Sequence, residues 1–380
     1  AGRSFQILVV NRPWKILDHR RRLKIIRKSV LPSNLSIKYI PLLPPLRKSA
    51  GSRLYSKLVT NYLSLLVRVF VRRTNVIVHA RSYWPCAASL QASFKAVIFE
   101  PRSLWTLENI AMGDIREGSS AEAYWNDLEE ICVLKSERVV SINTAMADYF
   151  SERYSSAYKN EVIPISFSDQ KFSYNKKKRE EVRNTLSLIN KKVFVYSGSF
   201  GMSQIGFSCI KNTVRMINNA VASAHFLFLT PSHEDLAVSR VVDQAGLSED
   251  SFTSIHPAFD QITDYLSAAD FGYHALPWQP DSFTRMGTKV VEYFAVGLPV
   301  IVNRHVGAAV KILDENFYGF VIDEDMPSEV ILEKLSSLSK LKRADIVHFS
   351  KEQYEVSTVA KSYSQIYREL DVIKDGAAPQ

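Results

Sequence analysis

The sequence predicts an α/β protein of two doubly wound domains, on three observations. Its 380 residues exceed what a single hydrophobic core commonly holds. Short apolar, β-branched runs alternate with segments of helical period through both halves. Between the halves, Val162-Ile163-Pro164-Ile165 is extended and gives way to the polar run Lys176-Lys177-Lys178-Arg179. We therefore expect an N-terminal domain over 1–165 and a second over 166–354.

The elements follow in order. Phe5–Val10 is a run of aliphatic residues expected to form a strand. Lys15–Val30 reads as a helix because Ile16, Leu23, Ile26 and Val30 share a stripe, with Arg20, Arg21, Arg22, Lys24, Arg27 and Lys28 mostly off it. Further strands are expected at Leu35–Ile40, Val76–His79, Ala96–Phe99 and Arg138–Ser141. Between them lie an apolar helix at Leu54–Val71 and a longer one at Ser119–Lys135, with Tyr124, Leu128, Ile131 and Leu134 on one face. The second half reads as strands at Val193–Tyr196, His225–Leu229, Phe252–His256, Phe271–Ala275, Pro299–Val302 and Gly319–Ile322. A last helix, Thr358–Val372, places Tyr363, Ile366, Tyr367 and Leu370 at helical spacing.

Composition excludes several classes. With 46% apolar and 23% charged residues the chain is not disordered. Three scattered cysteines, Cys86, Cys132 and Cys209, give neither a disulfide scaffold nor CxxC zinc pairs, which points to a reducing compartment. No uncharged apolar run approaches the ~18 residues of a membrane span. Ala1-Gly2-Arg3-Ser4 leads directly into the first strand and does not read as a signal peptide, so a cytoplasmic protein is expected.

Charge is unevenly spread. Residues 1–73 contain 17 Lys and Arg against one acid, Asp18, a net of +16, and the remaining 307 residues net −7. So many unbalanced cations suggest an anionic partner. Either basic helix suits an anionic leaflet, giving a peripheral protein on the inner face of a membrane. Nucleic acid fits less well, because no binding motif is present and aromatics do not interleave the basic run.

Phosphate groups bind where a strand runs into a helix, since free N–H groups and the positive end of the helix dipole meet there. Two junctions qualify: Tyr196-Ser197-Gly198-Ser199-Phe200-Gly201, and Arg285-Met286-Gly287-Thr288-Lys289. Glycine lets backbone approach a phosphate closely, and Lys289 adds a cation in the first helical turn. Glu292, one turn on, suits a pair of neighbouring hydroxyls such as those of a ribose. His79, His256 and His274 end or follow strands and read as structural or substrate-contacting residues rather than metal ligands.

The run Gly287-Thr288-Lys289-Val290-Val291-Glu292-Tyr293-Phe294-Ala295-Val296-Gly297-Leu298-Pro299-Val300-Ile301 resembles the donor-site helix and following strand of retaining glycosyltransferase family 4. Phe194–Ser199 is similar to the first strand and loop of that family's nucleotide-binding domain. Ile255-His256-Pro257-Ala258-Phe259 is similar to its base-contacting loop. The likeness covers most of the chain and is strongest over 138–322. It implies a GT-B fold: two Rossmann-like domains facing a central cleft, with helix 355–373 crossing back to the N-terminal domain. It also implies metal-independent transfer of a sugar, with retention, from a UDP- or GDP-sugar to a glycan or lipid-linked hydroxyl in polysaccharide biosynthesis. No cofactor is implied beyond the nucleotide-sugar substrate. Lys289 and Arg285 are then the catalytic cations, and Ser199, Gly201, Phe259, Gly287, Thr288 and Glu292 the donor-binding residues. Arg81, Arg102 and Glu108, in His79-Ala80-Arg81-Ser82 and Phe99–Glu108, face the cleft as acceptor-binding residues.

The sequence also departs from the family. The Glu usual eight positions before the helix Glu is Thr284, with Asp281 nearby, and the usual basic pair after the second domain's first strand is absent. The glycine turn after the first strand of the chain is replaced by Asn11-Arg12-Pro13-Trp14, which offers Arg12 to an anionic acceptor. Two rival readings are a nucleotide-sugar epimerase of the same fold and a catalytically degenerate membrane- or partner-binding subunit.

Overall fold

The structure is a computed structural model that describes residues 5–11, 15–17, 20, 35–41, 52–71, 76–154, 158–200 and 204–374. The chain forms two compact units, Ala1–Val139 with Tyr154–Lys159, and Val140–Arg153 with Asn160–Gln380.

In the first unit, β1 (Phe5–Asn11) and β2 (Leu35–Pro41) pair in parallel, Ile7 opposite Ile37. Helix α1 (Arg53–Phe70) starts at an N-cap, the Ser52 hydroxyl accepting from the Tyr55 N–H at 3.2 Å. It buries Val59, Leu63 and Val67 and leaves its other face open. Strand β3 (Ile77–Arg81), α2 (Tyr83–Gln91), β4 (Ala96–Glu100), α3 (Trp105–Ala111), α4 (Ser120–Lys135) and β5 (Arg138–Ser141) follow. The β3–β4 and β4–β5 pairs are parallel, and their register sets Arg81 beside Glu100. All five residues of β4 are buried, as a central parallel strand requires. Of the helix expected at 15–30, only Lys15–Leu17 and Arg20 lie within the described residues.

The second unit opens with α5 (Thr144–Tyr154) and a short strand, β6 (Asn160–Val162). Its core is a six-stranded parallel sheet of β7 (Lys192–Ser197), β8 (Ala224–Leu229), β9 (Phe252–Ile255), β10 (Phe271–His274), β11 (Val300–Val302) and β12 (Gly319–Val321). The spatial order is β12-β11-β10-β7-β8-β9. The chain lays β8 and β9 to one side of β7 and then returns to lay β10, β11 and β12 on the other. Phe194 on β7 stacks between Phe226 at 5.7 Å and Phe271 at 5.4 Å, fastening both halves to the middle strand. Truncating such a ring costs about 3–5 kcal/mol.

The polar run at Lys176–Arg179 is helical. It is the first turn of α6 (Lys176–Thr185), where the Asn175 side chain accepts from the Lys178 N–H. Arg179 and Arg183 of this helix donate to the Ala268 carbonyl that ends α9 (Ile262–Ala268) and Arg343 to that of its C-cap, Ala269, and the first two also reach Asp270 at 2.6 and 3.3 Å. Crowded by the other two guanidiniums and desolvated, Arg343 is lowered to about 10, with burial the larger cause. Helices α7 (Gln204–Ala220) and α8 (Asp235–Ala245) precede α9. Helices α10 (Thr288–Ala295), α11 (Gly307–Asn316), α12 (Ser328–Leu338) and α13 (Arg343–Tyr354) lead to the last helix, α14 (Val356–Lys374), which stacks Tyr363 on Tyr367 as its spacing predicted.

Candidate functional site

The two predicted phosphate junctions meet. Gly198 follows β7, Gly287 precedes α10 (Thr288–Ala295), and β7 and β10 are neighbours where the strand order reverses. Open α/β sheets bind ligands beyond the carboxyl ends of strands at such a switch point. The contact is close: a Cβ on Gly198 would stand 2.3 Å from Lys289 Cε and 2.8 Å from its Nζ. Gly198 has φ +123°, so glycine answers both a backbone and a steric demand. The ammonium of Lys289 therefore lies over the loop after β7, and no acid among the described residues stands within ion-pair distance of it.

The surroundings support this placement. Gly287 has φ +73°, and a Cβ there would meet His274 Nε2 at 2.6 Å. His274 is buried and lowered to about 3, chiefly by desolvation and further by Lys289, so its ring is neutral at physiological pH. The Tyr293 hydroxyl accepts from the Ser197 N–H at 2.9 Å, tying α10 to the end of β7, and its ring packs on Gly272, which has no room for a Cβ. Glu292 is half-buried; burial raises its carboxyl, Lys289 pulls it back, and it finds no hydrogen bond among the described residues. Ser199 is exposed and donates to Glu234, while its carbonyl accepts from the Tyr196 hydroxyl at 2.7 Å.

Arg285 is placed differently from Lys289. Its Nε donates to Asp281 Oδ2 at 3.2 Å and its Nη2 to the Gln279 side chain, so the guanidinium braces its own loop. Asp281 is buried and its Oδ1 has no hydrogen bond among the described residues. The Thr284 hydroxyl, also buried, is engaged by the Asp281 carbonyl at 2.9 Å. Phe259 is largely exposed, edge-on to Phe172 with Lys171 over its ring. Gly201 and Arg12 lie outside the described residues.

In the first unit the candidate acceptor residues collect at the ends of β3 and β4 around one buried carboxylate. Glu100 meets His79 Nε2 at 2.7 Å, Arg102 Nη1 at 2.9 Å and Arg81 Nε at 3.4 Å. These partners hold it at about 2 against the opposing effect of burial. Arg81 and Arg102 keep exposed surfaces, 62% and 40% of their side chains. Glu108 stands apart, accepting from the Ser103 hydroxyl at 2.6 Å.

Reading the sequence missed three participants. Glu100 was visible only as part of a motif, and the strand register gives it its role. Glu234 lies in a short turn, Ser232–Glu234, that carries no pattern. Tyr293 reads as an ordinary core aromatic of an amphipathic helix.

No protein-family model matches the chain, and no curated protein matches its sequence. Solved structures do match. Sucrose-phosphate synthase from Thermosynechococcus elongatus aligns over 98% of this chain and 100% of its own, at TM-score 0.70 and 13% identity. A glycosyltransferase from Rickettsia africae aligns over 97% and 99%, at TM-score 0.66 and 15% identity. HepE from Anabaena, solved with UDP, aligns over 96% and 100%, at TM-score 0.65 and 12% identity. Together with two parallel α/β units and a strand-order reversal over the two glycine junctions, these likenesses establish that the chain has the GT-B fold of glycosyltransferases.

Proposed function

We propose that this chain transfers a sugar from a nucleoside-diphosphate sugar to an acceptor hydroxyl with retention of anomeric configuration. The observation that carries the reading is Lys289 lying over Gly198 at the switch point, an ammonium and two helix-entry loops converging on one spot. A departing diphosphate gains negative charge there, and a preorganised cation with free N–H groups lowers that barrier. Lys289 takes the position that the family's absent basic pair would fill. Arg285 acts by holding Asp281, whose Oδ1, without a hydrogen bond among the described residues, receives a donor-sugar hydroxyl in place of the missing glutamate. Glu292 receives the ribose hydroxyls. Ser199 and the helix entry at Gly287–Thr288 complete the phosphate contacts, and the aromatic face of Phe259 meets the base. The reaction needs no metal in this reading, because Lys289 supplies the charge.

UDP is the favoured nucleotide and GDP the next. HepE structures hold UDP and UDP-glucose, which supports that order. The acceptor is a glycan or lipid-linked hydroxyl of polysaccharide assembly whose anionic group meets Arg81 and Arg102. The N-terminal cations bring the protein to the anionic inner face of a membrane. A non-catalytic binding subunit is the second reading, favoured by Thr284, whose hydroxyl is occupied within its own loop.

The test is a thermal-shift panel of UDP, GDP, ADP, CDP and TDP, with and without magnesium. A ligand at a hundred times its Kd adds about 2.7 kcal/mol to the state that binds it. One nucleotide raising the midpoint without metal is the expected result. Silence from all five overturns the transferase reading.

A further inference from the structure

Helix α1 presents an outward face that an ordinary surface helix does not. Ser56, Val59, Thr60, Leu63, Ser64 and Val67 are buried against the first unit. On the other side Leu54, Leu58, Leu65 and Val69 are 70%, 59%, 61% and 69% exposed. At about 100° per residue these four fall within an arc of about 60° and run about 22 Å along the axis. Arg53, Lys57 and Arg68 line the adjoining arc, and the helix contains no acid. Among the described residues no helix is long and apolar enough to cross a membrane, so a contact of this one with lipid is interfacial.

We infer that α1 is an interfacial anchor, lying in the headgroup region of an anionic bilayer with Leu54, Leu58, Leu65 and Val69 among the acyl chains and Arg53, Lys57 and Arg68 against lipid phosphates. The inference rests on the membrane reading above and adds the apolar insertion that charge alone does not supply. A narrow aliphatic stripe with a cationic flank is the pattern of helices that bind in the membrane plane. Charge decides between lipid and a second copy of the chain. Apposing two such faces brings together cations with no acid on the helix to pair them, within a region of 17 bases and one acid. An anionic leaflet neutralises the same face.

The experiment uses the full chain, sedimented with phosphatidylcholine vesicles with or without phosphatidylglycerol, at low and at high salt. The wild type is expected to partition onto the anionic vesicles and to keep part of that binding at high salt, since the apolar contribution is not screened. Leu58→Glu combined with Leu65→Glu removes two aliphatic anchors and adds two anions, and is expected to weaken partition by about tenfold or more. Leu236→Glu, an equally exposed leucine in the second unit, is the control and leaves partition unchanged. Circular dichroism and an unchanged midpoint verify that the variants fold. Equal binding by wild type and double variant overturns the anchor while leaving a purely electrostatic membrane contact standing. No binding by the wild type overturns both. A wild-type dimer without lipid that the double variant dissolves assigns the face to a second copy, and overturns the lipid assignment. The nucleotide panel is independent of all these outcomes, so the donor reading stands or falls separately.

Discussion

The two units carry cations at the carboxyl ends of parallel strands, yet in opposite circumstances. In the first unit Arg81 and Arg102 are held by Glu100, a buried carboxylate that also takes His79. In the second, Lys289 has no acid within ion-pair distance among the described residues, and its side chain lies over the backbone of Gly198. The difference teaches that residue type alone does not mark a charge as waiting for a ligand. A cation fixed by a carboxylate presents only its remaining donors, whereas one fixed by packing keeps its charge for an incoming anion.

That contrast can be broken or sharpened by mutation. Glu100→Gln should give the largest effect on stability, since holding this buried carboxyl near 2 rather than 4.5 corresponds to about 3 kcal/mol. Its unfolding midpoint by calorimetry should fall well below wild type at neutral pH. Because the folded carboxyl sits near 2 against 4.5 when unfolded, its contribution is complete above the unfolded value and disappears as pH falls through that window. Wild type and variant should therefore converge on acidification, and a constant gap at every pH would refute the assignment.

Lys289→Ala comes next, with turnover lowered by about 10²–10³-fold, about 3–4 kcal/mol, as for other single donors to a developing anion. Its midpoint without nucleotide should stay close to wild type, since no acid among the described residues pairs with this lysine. Near-normal turnover would remove it from the site.

His274→Leu yields a smaller, pH-dependent change. The ring stays neutral in the fold down to about 3 but protonates near 6.5 when unfolded, so wild type loses stability as pH falls between these values. The slope is at most about 1.4 kcal/mol per pH unit. The leucine variant should show a shallower acid limb in midpoint against pH, and identical limbs would contradict a neutral buried histidine. Arg81→Ala should do least to stability, less than about 1 kcal/mol for so exposed a partner. If Arg81 meets an anionic acceptor, its loss raises the KM for acceptor and leaves the donor KM unchanged.

Much of this architecture was legible in the sequence. The strands around Phe194, Phe226 and Phe271 are short aromatic and β-branched runs between helical segments, and such runs admit few other readings. Lys289 and the two glycines were also legible, each as a local junction. That they share one ligand follows from the family likeness, whereas local pattern alone does not bring them together, because their meeting depends on β7 and β10 becoming neighbours across more than 70 residues. Glu100 was obscure for the same reason, since its importance comes from register with Arg81. The run at Lys176–Arg179 read only as a polar stretch after the extended Val162–Ile165. Its helical signal was present in the Asn175 cap and in the pairing of Lys176 with Glu180 and Lys177 with Glu181.

The strand order of the second unit has a kinetic consequence. Strands β7, β8 and β9 pair with sequence neighbours, as do β10, β11 and β12, so each trio can assemble on its own as it is synthesised. The seam between β7 and β10 closes only when the later trio docks, and such long-range pairing is slow. Lys289 reaches Gly198 only across that seam. In the proposed reading, nucleotide capture is a readout of the last docking step, and a nucleotide present during refolding should favour the joined sheet over two separate halves.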